Sequence, residues 1–170
     1  SFGLFVLIAS FLRFQHIITA EHREEKMDPA DAFAIRMARE ISKLQRPPPQ
    51  FCLALVAVLP RDSENAEAST PLDMQDLLEK LGTLITAKDD RALYQADKIA
   101  LRIDAPRENL GTVIERLEKT AATLRIKDQS GNLRSVDLRW GCALFPDSGD
   151  RVETLFARAE QALEKAKSAS

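Results

Sequence analysis

The sequence predicts an α/β sandwich, with a mixed central sheet of about five strands, helices over both faces and an N-terminal helix ahead of it. Three observations carry this. The run "FCLALVAVL" at residues 51–59 is continuously apolar and of strand length, as a central strand covered on both faces must be. Segments with apolar residues at helical spacing alternate with extended segments along the whole chain. The resulting order is helix, strand, helix, hairpin, helix, hairpin, helix. Its long crossovers join parallel or non-neighbouring strands, and its hairpins add antiparallel ones.

Taken in order, "SFGLFVLIASFLRF" opens the chain as an almost wholly apolar run from Phe2 to Leu12, interrupted by Arg13. Spanning a bilayer takes about 20 apolar residues, so this run is too short to cross by itself. The chain starts with Ser rather than Met and is expected to be part of a longer protein. Two readings of the run compete. It is either the end of a transmembrane helix, with Arg13 and "EHREEK" marking the exit into the cytoplasm, or an ordinary apolar helix in a core or dimer seam. No polar residue interleaves the run, which favours the membrane. Residues 13–26 lack Gly and Pro and continue the helix as a stalk suited to self-association. The expected division is therefore an N-terminal stalk over 1–26 and a folded domain over 27–170.

In "DPADAFAIRMAREISKL", Asp28 is a natural N-cap, Pro29 takes the first helical position, and Phe33, Met37, Ile41 and Leu44 form one apolar stripe. "QRPPPQ" ends that helix. After the strand at 51–59 and a polar loop, "LDMQDLLEKLGTLITA" reads as a helix with Met74, Leu77, Leu78, Leu81, Leu84 and Ile85 inward. A hairpin spans 91–103. A helix follows Pro106 with Leu110, Val113, Ile114 and Leu117 as its stripe. "LRIKDQSGNLRSVDLRWGCALFP" reads as two strands joined at "QSGN", and the closing helix turns Leu155, Phe156, Ala159, Ala162 and Leu163 inward.

Composition excludes some classes. Lys+Arg 24 against Asp+Glu 26 leaves a net charge of −2, so no global field recruits nucleic acid. With 45% hydrophobic and 29% charged residues, the chain can bury a real core. Cys52 and Cys142 sit in apolar runs and read as buried free thiols, and no Cys/His spacing suits zinc. His16 and His22, six apart on the stalk, are not helical metal neighbours. Ser63, Ser69 and Thr70 have no histidine nearby in the chain, and Trp140 reads as core.

Two phrases resemble the GGDEF family of diguanylate cyclases over about residues 28–168. "VDLRWGCALFP" followed by "VETLFARAEQALEKAK" is similar to the family's S-x-G-x-A…P strand and A-D-x-A-L-Y-x-A-K helix. Gly141, Ala143, Pro146, Ala159, Ala162, Leu163, Ala166 and Lys167 match, while Arg139, Glu160 and Glu164 depart from the serine, aspartate and tyrosine. In that register "YQADKIALRI" falls on Y-G-G-D-E-F-A-x-L-L. Gln95 and Ala96 replace the glycines, Asp97 is kept, Lys98 replaces the glutamate and Ile99 the phenylalanine.

The resemblance implies a nucleotidyl-cyclase-like sandwich and a reaction joining two GTP molecules by positioning and Mg²⁺ charge stabilisation. The departures imply that the hairpin is kept and its chemistry lost. Gln95 adds bulk where glycine lets a nucleotide approach. Val58 and Pro60 stand where the family's first strand carries its two aspartates, which leaves Asp97 alone beside the cation Lys98. The family's F-K-x-x-N-D and G-H-x-x-G-D are not visible in "PRDSENAEASTPLDMQD", where Asp73 and Asp76 read as helix-start acids. The R-x-x-D window reads "TAKD" (86–89), with Thr86 for the arginine and Asp89 in place, which does not support cyclic di-GMP binding at the usual site. Lys88 and Arg91 are the nearby cations.

The expectation is a catalytically inactive, cytoplasmic regulatory or assembly module tethered to the inner membrane. It has no catalytic, metal or cofactor residues and works through a protein partner or a homodimer of the N-terminal helix. The alternatives are a cyclic di-GMP or nucleotide receptor with another site, or an enzyme rebuilt around Asp97, Asp62 and Glu64.

Overall fold

Residues 27–43, 49–59, 70–86 and 88–169 are described by a computed structural model. The expected stalk over 1–26 lies outside them, as do Pro60, Asp62 and Glu64. Helix α1 (Pro29–Ser42) begins where expected, the Asp28 carboxylate accepting the Ala30 N–H at 2.8 Å, and it buries Phe33 and Met37. Strand β1 (Phe51–Leu59) matches the apolar run, and every residue from Phe51 to Ala57 is buried. Helix α2 (Met74–Gly82) is capped by Asp73, whose carboxylate accepts N–H groups from Gln75 and Asp76. It stops before Leu84 and Ile85, which the apolar stripe had placed on the helix.

Strands β2 (Asp90–Gln95) and β3 (Lys98–Asp104) form the expected hairpin, and helix α3 (Arg107–Ala121) follows Pro106. The next stretch departs from expectation. The "QSGN" turn joins two short strands, β4 (Arg125–Lys127) and β5 (Leu133–Ser135), into a separate ribbon. After buried Val136 a new strand, β6 (Asp137–Phe145), enters the central sheet. Helix α4 (Val152–Ser168) closes the chain.

Among the described residues the central sheet has four strands in the order β2-β3-β1-β6, and all its pairings are antiparallel. The expected α/β sandwich is there and the strand count is close to the five expected, while the expected mixed strand direction is corrected to antiparallel. The crossover through α2 does bring β2 into the same direction as β1, but β3 lies between them and runs against both.

Alternation along β1 divides the core. Phe51, Leu53, Leu55 and Ala57 face α1 and α4, where Phe33, Met37, Leu155, Ala159 and Leu163 are buried. Cys52, Ala54 and Val56 face α2 and α3, with Leu77, Leu81, Leu110 and Leu117. Both faces of the central strand are thus covered, which is why its sequence is apolar without alternation.

Candidate functional site

The site lies where β1 leaves the sheet beside the β2–β3 turn. Ala57 pairs with Lys98 on one side and Arg139 on the other, and the Val58 N–H donates to the Asp97 carbonyl at 3.3 Å. Residues paired directly across strands share a face, so Lys98 and Arg139 flank Ala57 on the α4 side, about 10 Å apart across two strand spacings. Arg139 donates to the Asp137 carboxylate one pleat away on β6, which occupies that acid with a cation of its own strand.

The turn itself is Ala96–Asp97, with a register shift between Leu93 and Gln95. Neither turn residue has a positive φ. The turn therefore stands without glycine, and losing both family glycines leaves the hairpin intact. Gln95, Ala96 and Asp97 are exposed, Lys98 is half-buried, and Ile99 is fully buried under α2 and α3. Ile99 is thus a core residue, and Asp97 is the one carboxylate of the turn. Among the described residues no group of three or more His, Cys, Asp or Glu side chains is placed to hold a metal ion. With Val58 on the adjoining strand and two cations flanking Ala57, the donor set present does not fit Mg²⁺.

The matched phrases meet in space. A β-carbon on Gly141 would fall 2.6 Å from the Leu163 Cβ and inside contact distance of the Ala159 carbonyl, so glycine is needed for α4 to lie on β6. Tyr94 donates its hydroxyl to Glu160, and its ring stacks on Phe156 at 5.2 Å between centroids. The start of the signature is thereby tied to the closing helix. Trp140 packs, partly buried, against the α2/α3 face of the core.

The two helix-start acids, Asp73 and Asp76, both have structural partners. Asp73 caps α2. Asp76 Oδ2 accepts the Lys127 N–H at 2.8 Å and Lys80 Nζ at 2.9 Å, and the backbone donor, followed by Lys80, holds its carboxyl below the usual range.

In the 86–89 window, Asp89 accepts the Thr86 N–H at 2.8 Å and the Asp104 N–H at 2.9 Å. Both carboxylate oxygens are engaged in holding the loop to β3. Beside them opens a cavity of about 240 Å³ lined by Ile85, Thr86, Asp89, Ile103, Val113 and Arg116. A second, more open hollow of about 380 Å³ lies between α1 and the same loop, with Arg36, Arg39, Lys43, Lys88 and Arg102 on its walls. Arg36 is bound to Asp90 at 2.6 and 3.0 Å. Arg102 Nε stands 3.3 Å from Asp104 Oδ1 without hydrogen-bond alignment, and both atoms are buried with no hydrogen-bond partner. Burial pushes the Asp104 carboxyl up against the pull of Arg102.

Sequence reasoning did not find Arg116, which reaches this cavity from α3, 27 residues beyond Asp89. It also did not place Arg139 at the end of β1. Only the pairing of β1 with β6 brings Arg139 beside Ala57.

Comparison with known proteins agrees with this geometry. The family described as "Diguanylate cyclase, GGDEF domain" matches residues 73–170, more than half of the chain, and the chain belongs to that family. Among solved structures it is similar to the GGDEF domain of YfiN (TpbB) from Pseudomonas aeruginosa, with a TM-score of 0.64 and 18% identity over 81% of this chain and 83% of that one. It is also similar to the FimX GGDEF domain from the same organism, with a TM-score of 0.64 and 16% identity over 83% and 89%. The GGDEF domain of DgcB from Caulobacter crescentus, in complex with c-di-GMP, superposes with a TM-score of 0.61 and 14% identity over 83% and 85%. Among curated proteins no match was found.

Proposed function

We propose that this chain is a catalytically inactive GGDEF domain, acting in cyclic di-GMP signalling as a regulatory or assembly module. The observation that carries this is the end of β1. Val58 adjoins the lone Asp97, and Lys98 and Arg139 flank Ala57 on one face. Lys98 sets a cation beside Asp97 where the family's chemistry needs a divalent metal, while Arg139 is paired with Asp137 and offers that metal no ligand. The intact Ile99 core and the Tyr94 and Gly141 contacts to α4 support retention of the domain for its shape. Protein contact or self-association through the segment before residue 27, and membrane tethering by its apolar run, belong to the same proposal. Among the described residues no helix is long and apolar enough to cross a membrane.

The test is incubation of the full chain with GTP and Mg²⁺ and chromatography of the products. No cyclic di-GMP above the protein-free control is expected. Product that disappears with Asp97→Ala overturns the proposal in favour of an enzyme rebuilt around Asp97, Asp62 and Glu64.

One observation favours a second reading, a receptor for cyclic di-GMP with an altered site. The cavity beside Thr86 and Asp89 carries Arg116, a guanidinium able to grip a phosphate or guanine edge. A thermal shift with cyclic di-GMP that Arg116→Ala abolishes would establish it. Ligand at 100 times its dissociation constant stabilises by about 2.7 kcal/mol.

A further inference from the structure

Cys52 and Cys142 are 90 residues apart in sequence and neighbours in the sheet. Cys52 pairs with Leu144 and Ala54 with Cys142, so the thiols are diagonal neighbours across β1 and β6. Both lie on the face covered by α2 and α3. The two thiols lie close enough to perturb each other's ionisation. Cys52 is fully buried, while Cys142 is half-buried. The contact makes the thiols unequal. The neighbouring Cys52 thiol lowers the Cys142 pKa, whereas the Cys142 neighbour, then burial, pushes Cys52 well up. At Cys142, burial and then the negative charge of Glu118 on α3 oppose the thiolate, but the Cys52 neighbour outweighs them.

We propose that Cys142 is an oxidant-sensitive thiol and Cys52 its resolving partner, the two closing a disulfide between β1 and β6 when a peroxide reaches the domain. The Cys142 thiolate attacks one peroxide oxygen, the O–O bond breaks, and the first water leaves with the Cys142 proton. Cys52 then displaces the hydroxyl of the resulting sulfenic acid, and its own proton leaves with that hydroxyl as the second water. The dithiol gives up two electrons and two protons, and the peroxide is reduced to two waters. Diagonal neighbours sit about 7–8 Å apart at Cα, just beyond the usual disulfide span of about 4.4–6.8 Å. Closure therefore draws the strands together by about an ångström and leaves a strained, readily reduced bond. Gly141, next to Cys142, carries α4 with no spare room, so that adjustment is passed to the closing helix.

The test is hydrogen peroxide treatment of the full chain, followed by intact mass and thiol counting in denaturant. The wild type is expected to lose the mass of two hydrogens and both countable thiols, with recovery on adding dithiothreitol. In Cys52→Ser, a sulfenic acid is expected at Cys142, trapped by dimedone. In the untreated folded wild type, alkylation of Cys142 is expected to be at least about tenfold faster than that of Cys52. The wild-type mass decides the matter even where a serine variant fails to fold. Sulfinic acid at Cys142 with Cys52 still reduced, a disulfide between two chains, or Cys52 alkylating first overturns the proposal.

Discussion

Tyr94 donates its hydroxyl to Glu160, and this contact ties the bulged end of β2 to the closing helix 66 residues further on. The aromatic ring is held independently by its stack on Phe156. Tyr94→Phe keeps the stack and removes the donor, which is expected to cost about 1–2 kcal/mol as a lost hydrogen bond to a charged acceptor. Tyr94→Ala removes both and is expected to cost at least about 2 kcal/mol more. Urea midpoints of the two variants separate the terms, and a Tyr94→Phe midpoint equal to wild type would mean that the hydroxyl contact contributes nothing.

Gly141 has a different role, since its missing side chain is what lets α4 approach. A methyl group there meets the backbone of Ala159 and Leu163, which cannot rotate away as a flexible side chain would. Gly141→Ala is expected to destabilise by about 1–3 kcal/mol, the range for an overpacked core, with α4 amides losing hydrogen-exchange protection first. Unchanged protection in α4 would show that the helix rests on β6 less closely than this.

How much of this was legible in the sequence depends on the range of the interactions. The strand at 51–59, the Asp28 and Pro29 helix start and the 90–104 hairpin are set by periodicity, caps and turns, which operate over a few residues. The "QSGN" hairpin was found, but not its place outside the main sheet. Nothing local distinguishes Leu133–Ser135, which pairs with β4, from Asp137–Phe145, which pairs with β1 from the other end of the domain. The candidate site divides in the same way. Asp97, Lys98 and Val58 were readable through the family resemblance. Arg139 as their neighbour and the Cys52–Cys142 contact both depend on the β1–β6 register. Asp73 and Asp76, readable only as helix-start acids, acquire partners on their own helix and, for Asp76, on β4.

The signature hairpin offers a contrast between its exposed turn and its buried flank. Asp97 is exposed, and Asp97→Ala is expected to move stability by no more than about 0.5 kcal/mol. Ile99 is fully buried between β1 and α2, and Ile99→Ala is expected to cost about 2–5 kcal/mol. Chemical denaturation of both variants gives the comparison. A large loss on Asp97→Ala would assign this carboxylate a structural role that its exposure argues against.

The acid limb of the stability profile isolates Asp76. Its carboxylate is held ionised by the Lys127 N–H and then by Lys80, so its folded pKa lies below the unfolded value of about 3.9. A depressed folded pKa contributes stability that is fully present above the unfolded pKa and is lost as the pH falls through the folded one. Asp104 acts in the opposite sense. Burial raises its folded pKa, so its contribution is complete below the unfolded value and is lost as the pH rises through the folded one. The two trends overlap in the whole-protein curve, and a single-residue comparison is needed to separate them. Asp76→Asn keeps the shape and an acceptor oxygen but removes the charge. The variant is expected to be less stable than wild type at neutral pH, with the difference shrinking and the two curves converging below about pH 3.9. Urea denaturation at a series of pH values checks this. A difference that stays constant into acid would mean that the Asp76 charge is not what binds α2 to β4.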